Sequence, residues 1–213
     1  MLGKTFYRLV RFCTPLSPKQ RARQEFLAIS LQAYDIAIDC GANVGKITQF
    51  LAQQQATIYA FEPNPYAFQV LQEKFTDALH VHCIQKGVLD CNGVLPLYLH
   101  ENADRDQVYW STGSSLLACK SNVTDEHSVV VEVIDLAAFI KSLHSRVKIL
   151  KLDVEGVECR ILRKLIGENV IDLIDHIFVE THEHKIPELR RETDALRQYI
   201  RDHRIRHITL DWK

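Results

Sequence analysis

Asp35-Ile36-Ala37-Ile38-Asp39-Cys40-Gly41-Ala42-Asn43-Val44-Gly45-Lys46-Ile47-Thr48 decides the fold. Ile36 to Asp39 is short and apolar and stops at Gly41, after which Ile47, Phe50 and Leu51 recur at helical spacing. A brief, unbroken apolar run is what a parallel strand covered on both faces looks like. The glycines at Gly41 and Gly45 let the backbone turn sharply between strand and helix and approach a ligand closely. In open parallel sheets, ligands bind at the carboxyl ends of the strands.

Working outward, the same alternation repeats. Thr57 to Phe61 reads as a second strand ending at Glu62-Pro63, and Phe68, Leu71 and Phe75 share one helical face. Val81 to Ile84 is a third strand and Lys148 to Leu152 a fourth, ending in Asp153. Val157, Ile161 and Leu165 form a helical stripe, and Ile177 to Val179 is a fifth strand. Leu189, Thr193, Leu196 and Ile200 line a charged amphipathic helix before a sixth strand at His207 to Leu210. Strand–helix alternation implies βαβ units, hence a mostly parallel α/β sheet with helices on both faces. Val94 to Leu99 and Val129 to Val133 break the pattern. With the polar stretch around Ser111 to Ser115 between them, they predict a β insertion, a hairpin or flap near the site, before the fourth strand.

Four strand ends carry chemistry. The first loop is GxxxG, not the GxGxxG that rests a pyrophosphate on a helix N-terminus. Preceded by Asp39, it suits the zwitterionic amino-acid end of S-adenosylmethionine (SAM) better than a phosphate. Glu62 ends the second strand about 20 residues after that loop, where an acid holds ribose hydroxyls in nucleotide-binding βαβ units. Asp153 and Glu155 follow the fourth strand, and Glu155 and Glu158 also suit the positive end of the next helix. Glu180-Thr181-His182-Glu183-His184 follows the fifth. A histidine there is a candidate general base, its free imidazole being largely neutral at pH 7. Asp153, Glu155 and His182 could also converge on a divalent ion. The reading preferred from sequence contains no metal.

Composition narrows the classes. The formal net charge of -1 gives no bulk basicity and no reason to expect nucleic acid as a partner. Lys4, Arg8, Arg11, Lys19, Arg21 and Arg23 precede the first acid, Glu25. This segment, 1–34, reads as a basic helical element docking on the cofactor domain, 35–213; an arm touching an anionic surface or closing over the site is the alternative. No apolar stretch reaches the roughly 18 residues of a membrane span, and Arg8 and Arg11 interrupt any secretory leader. Cys13, Cys40, Cys83, Cys91, Cys119 and Cys159 are scattered without a CxxC pair, as expected of reduced thiols in a cytoplasmic protein.

Taken in order, IDCGANVGKIT, YAFEPNP, LKLDVEGVE and FVETHEH resemble the FkbM family of SAM-dependent methyltransferases across about residues 35 to 185. The resemblance implies a Rossmann-like class I methyltransferase fold and methylation of a hydroxyl on a sugar or natural product. It implies that Asp39, Gly41, Asn43 and Gly45 surround the methionine part of SAM, that Glu62 holds the ribose, and that Gly87 and Val88 lie near adenine. Ser114-Ser115 matches a recurring family feature within the insertion. His182 is then the catalytic base, with Asp153 orienting it or the hydroxylated acceptor. Such folds usually end on a seventh, antiparallel strand, whereas Lys213 follows the sixth candidate. A non-catalytic SAM- or nucleotide-binding protein and an NAD-dependent oxidoreductase are the alternatives.

Overall fold

The computed structural model describes residues 15–212. Helix α1 (Pro18–Ala28) leads into β1 (Ile36–Cys40), α2 (Lys46–Ala52), β2 (Thr57–Phe61), α3 (Pro65–Lys74) and β3 (Val81–Ile84). The insertion contributes β4 (Gly87–Leu89), β5 (Gly93–His100), β6 (Val123–Asp135) and α4 (Leu136–Ser142). The chain then resumes with β7 (Val147–Leu152), α5 (Glu158–Gly167), β8 (Ile174–Val179), α6 (Arg190–Asp202) and β9 (Ile208–Thr209).

Six strands form one sheet in the order β3-β2-β1-β7-β8-β9, with every pairing parallel. β1 lies between β2 and β7, so the chain reverses its direction of growth between β1 and β7. A crevice opens outside the carboxyl ends of the strands at such a switch point. This is a Rossmann-like α/β fold, as the alternation of apolar runs and helical stripes predicts.

Alternate residues along each strand feed two cores. Ala37, Ile58, Ala60, Ile149 and Phe178 pack with Phe26 of α1, Leu51 of α2 and Leu71 of α3. Ile38, Leu150, Leu152, Ile177 and Val179 face the other way, onto Ile140 of α4, Ile161 and Leu165 of α5, and Leu196 and Ile200 of α6. The strands are therefore covered on both faces, which is why they read as continuous apolar runs.

The insertion is more than a hairpin. β5 and β6 pair antiparallel, and β4 adds to the far edge of β6 in parallel, giving a small second sheet in the order β4-β6-β5. Asp135 ends β6 and caps α4 by accepting from the Ala138 N–H at 3.1 Å. α1 opens with a capping box. Ser17 Oγ accepts from Gln20 N–H, and Gln20 Oε1 accepts from Ser17 N–H. It docks through Ala22 and Phe26; Lys4, Arg8 and Arg11 of the basic segment lie outside the described residues. No disulfide joins the described cysteines, and no described helix is long and apolar enough to cross a membrane.

Candidate active site

A cavity of about 520 Å³ occupies the crevice, within the range of roughly 300–1,000 Å³ usual for small-molecule sites. The first loop forms one wall. Gly41 (φ +77°) brings its backbone so close to β7 that a Cβ would lie 1.8 Å from the Asp153 carbonyl oxygen. Gly41 and Asn43 line the cavity. Gly45 (φ +77°) does not. Its missing Cβ makes room for Leu71 and Phe75, so it serves the turn and its packing. Asp39 also lies off the cavity, fully buried, accepting from Thr48 Oγ1 at 2.7 Å and facing Lys151 Nζ at 3.2 Å.

Glu62 lies on the cavity wall at the end of β2. Its Oε2 accepts from the Asn43 N–H at 2.7 Å and its Oε1 from the Asn64 N–H at 2.8 Å. The carboxylate is thus fixed by one amide from each of two strand-end loops. Burial pushes its pKa up to about 7, against the lowering effect of those two N–H donors. Asn64 is also the N-cap of α3, accepting from the Tyr66 and Ala67 N–H groups, with Pro65 in the first turn. Gly87 and Val88, at the start of β4, also line the cavity.

The insertion is stitched to these loops by side chains. Asn43 Nδ2 donates to Ser111 Oγ at 2.8 Å, and Asn64 Nδ2 to Ser114 Oγ at 3.1 Å. Ser115 Oγ donates to the Glu155 carbonyl at 2.7 Å, and Lys120 Nζ to the Gly113 carbonyl at 2.6 Å. The segment 111–115 therefore straps three strand ends together. Arg23, Phe26 and Leu27 of α1 also line the cavity, so the docked helix borders the site as well.

At the far end the carboxylates gather around one imidazole. Asp153, Glu155 and Glu180 line the cavity; His182 lies behind them with its side chain fully buried. His182 Nδ1 is 2.8 Å from Glu158 Oε1, while Nε2 is 3.2 Å from Glu155 Oε2, 3.6 Å from Asp153 Oδ1 and 3.7 Å from Glu180 Oε1. Burial alone would lower the pKa of His182. The Glu155 and Glu158 carboxylates outweigh it and hold the value at about 10. The expectation of a neutral imidazole treated the ring as free; the acidic oxygens beside both ring nitrogens favour its protonated form instead. Burial would raise the Glu155 pKa, but His182 and Lys120 bring it well below the usual carboxylate range. Arg197 of α6 fixes the loop, donating to Thr181 Oγ1 at 3.1 Å and pairing with Glu183 at 2.7 Å. His184 lies outside the cluster, its ring centroid 6.0 Å from that of His182.

Sequence reasoning passes over Lys151. It sits inside β7, 3% exposed, with Nζ 2.9 Å from the Gly41 carbonyl, 3.2 Å from Asp39 and 3.6 Å from Asp153. Burial opposes its charge, but Asp39 and Asp153 outweigh that and raise its pKa above the ordinary lysine range. The available signal was a lysine in the middle of an apolar strand. Lys120, with its side chain fully buried and 2.7 Å from Glu155 Oε2, carried no such signal.

Sheet and cleft define a Rossmann-like α/β protein that presents a fixed strand-end carboxylate to a small-molecule cavity. Residues 39–206 match the methyltransferase FkbM domain, and the chain belongs to that family. It is similar to Methyltransferase 1 of Beauveria bassiana (strain ARSEF 2860), 27% identical over 194 residues, covering 79% of this chain and 78% of that one. Methyltransferase sdnD of Sordaria araneosa is 29% identical over 183 residues, covering 70% of each chain. Among solved structures, methyltransferase FkbM from Methylobacillus flagellatus KT aligns at 16% identity with a TM-score of 0.42, over 65% of this chain. This chain spans 30% of that structure's length. An rRNA methylase from Streptococcus thermophilus aligns at 16% identity and a TM-score of 0.44, over 88% of this chain and 80% of that one.

Proposed function

We propose that this methyltransferase takes its methyl group from SAM and passes it to a hydroxyl oxygen of a small molecule, within the unit 35–213. The observation that carries the reading is Glu62, held by the Asn43 and Asn64 amides on the wall of the cavity. Each carboxylate oxygen keeps a further acceptor site, which a ribose diol can fill. Gly41 and Asn43 bring backbone and amide groups to the methionine end, and Gly87 and Val88 flank the adenine end. Asp39 and Gly45 act one layer back, by holding Lys151 and shaping the turn.

SAM supplies an activated methyl on a sulfonium, so the protein's work is to align the two reactants and accept a proton. Asp153 reaches the cavity with its side chain 21% exposed, close to the acceptor end. It takes the hydroxyl proton as the oxygen–methyl bond forms and the sulfur–methyl bond breaks. His182 positions Asp153 and Glu155 from behind.

A screen of hydroxylated sugars and natural products with methyl-labelled SAM tests this reading. Label should appear on an oxygen of at least one acceptor. With that acceptor, Asp153→Asn should lose about 10²–10⁴-fold in turnover, the usual worth of a positioned proton acceptor. His184→Ala should stay near wild type. Tight SAM binding without transfer to any acceptor would favour the non-catalytic alternative.

A further inference from the structure

We infer that Asp153, Glu155 and His182 form a binding site for a first-row divalent cation, with Mn²⁺ as the fitting probe, on the wall of the cavity. One atom from each lies within 4.8 Å of the others. His182 Nε2 is 3.2 Å from Glu155 Oε2 and 3.6 Å from Asp153 Oδ1. Ligand atoms about 2.0–2.2 Å from a shared cation stand about 3.0 Å apart at right angles and about 3.4 Å apart in a tetrahedron. The two distances from Nε2 lie close to that spacing.

The imidazole points to a ligand independently of the acids. Its side chain is fully buried, and Nε2 makes no aligned hydrogen bond although it faces the cluster. The other nitrogen, Nδ1, donates to Glu158 Oε1, which also accepts from the Val154 N–H and one of whose partners is the Gly156 N–H. A carboxylate fixed by backbone amides and accepting from the remote ring nitrogen is the usual support behind a metal-binding histidine. It aims Nε2 into the site, where a cation would bind in exchange for the Nε2 proton.

Two carboxylates and one imidazole suit Mn²⁺ and its neighbours better than the all-oxygen cations. Three protein ligands, with Asp153 and Glu155 open to the cavity, leave coordination positions facing an acceptor. A carboxylate is by itself a weak base for an alcohol, and a cation beside it makes the hydroxyl more acidic. That role rests on the methyl-transfer reading; the site itself does not. It reverses the metal-free preference drawn from sequence, because spacing along the chain does not give the distance at which the two loops meet.

Lys120 is the competing cation, since its Nζ lies 2.7 Å from the same Glu155 oxygen. The experiment is titration of the full chain, stripped with chelator, with Mn²⁺, read by electron paramagnetic resonance. Wild type should bind one Mn²⁺, with about 10–100-fold weaker binding in Glu158→Gln and a larger loss in His182→Ala. Lys120→Met should bind at least as tightly as wild type. Circular dichroism and S-adenosylhomocysteine affinity check that each variant is folded. Equal binding by wild type and His182→Ala would overturn the site. So would Mn²⁺ binding that appears only in Lys120→Met, which would make the lysine the resident cation. If S-adenosylhomocysteine fails to bind while Mn²⁺ binds as expected, the methyl-transfer reading falls and the cation site stands.

Discussion

At Glu62, burial and two amide donors compete, and burial wins: the pKa rises from 4.5 to about 7. A carboxyl with a raised folded-state pKa stabilises the fold while protonated. Its contribution is complete below about pH 4.5 and is lost as pH climbs through about 7. The ligand-free protein should therefore lose on the order of 1–3 kcal/mol through this group between those limits. Glu62→Gln is neutral throughout and should not show that loss. Melting temperatures of the two proteins across this range check it, and a constant difference would mean that Glu62 is ionised throughout. Gly41→Ala should be far harsher, because its Cβ would overlap the Asp153 carbonyl. Expression and melting temperature should both fall, as expected when a non-glycine residue is forced to φ +77° against backbone. Both residues stood out in the sequence because strand-end chemistry is local. Lys151 did not, since its partners Gly41 and Asp39 reach it only through the β1–β7 pairing. The Glu158 partner of His182 was not read either, for the same reason: it comes from another strand end.

Among the elements, the amphipathic helices were plainly legible. α5 and α6 bury Ile161, Leu165, Leu196 and Ile200, the positions their periodicity marks. β4 (three residues) and α4 (seven) were not read, since they belong to the insertion and lie outside the strand–helix alternation of the main sheet. The strap 111–115 has no periodicity, and its role appears only through its contacts with Asn43, Asn64 and Glu155. Asn64 joins three tasks: cap of α3, amide donor to Glu62 and tether to Ser114. Asn64→Ala removes the first and third and keeps the backbone donor. It should cost about 0.5–2 kcal/mol through the lost cap. Amide exchange should also speed up at residues 111–115 but not in α5, which hydrogen-exchange mass spectrometry can resolve. Unchanged exchange in the strap would mean that Asn64 does not restrain it.

Over the whole molecule, α1 closes one core and borders the cavity at once. Phe26 is 1% exposed and its ring meets Phe50, Phe178 and Trp212 at centroid distances of 4.5–5.6 Å. Phe26→Ala should cost about 3–5 kcal/mol and loosen the helix from the sheet; chemical denaturation gives the value, and a loss under 1 kcal/mol would show that α1 contributes little. The class of fold and the places of its main strands along the chain were readable because covered parallel strands and amphipathic helices impose different periods. The shape of the cavity was not, since it arises where α1, the insertion and four strand ends meet. Calorimetric titration with S-adenosylhomocysteine and NAD is the most direct measurement of what that cavity holds. Wild type should bind S-adenosylhomocysteine and not NAD, and Glu62→Ala should weaken binding by about 1–3 kcal/mol, the worth of hydrogen bonds to a charged group. Unchanged affinity in Glu62→Ala, or binding of NAD in place of S-adenosylhomocysteine, would contradict the assignment of this cleft to SAM.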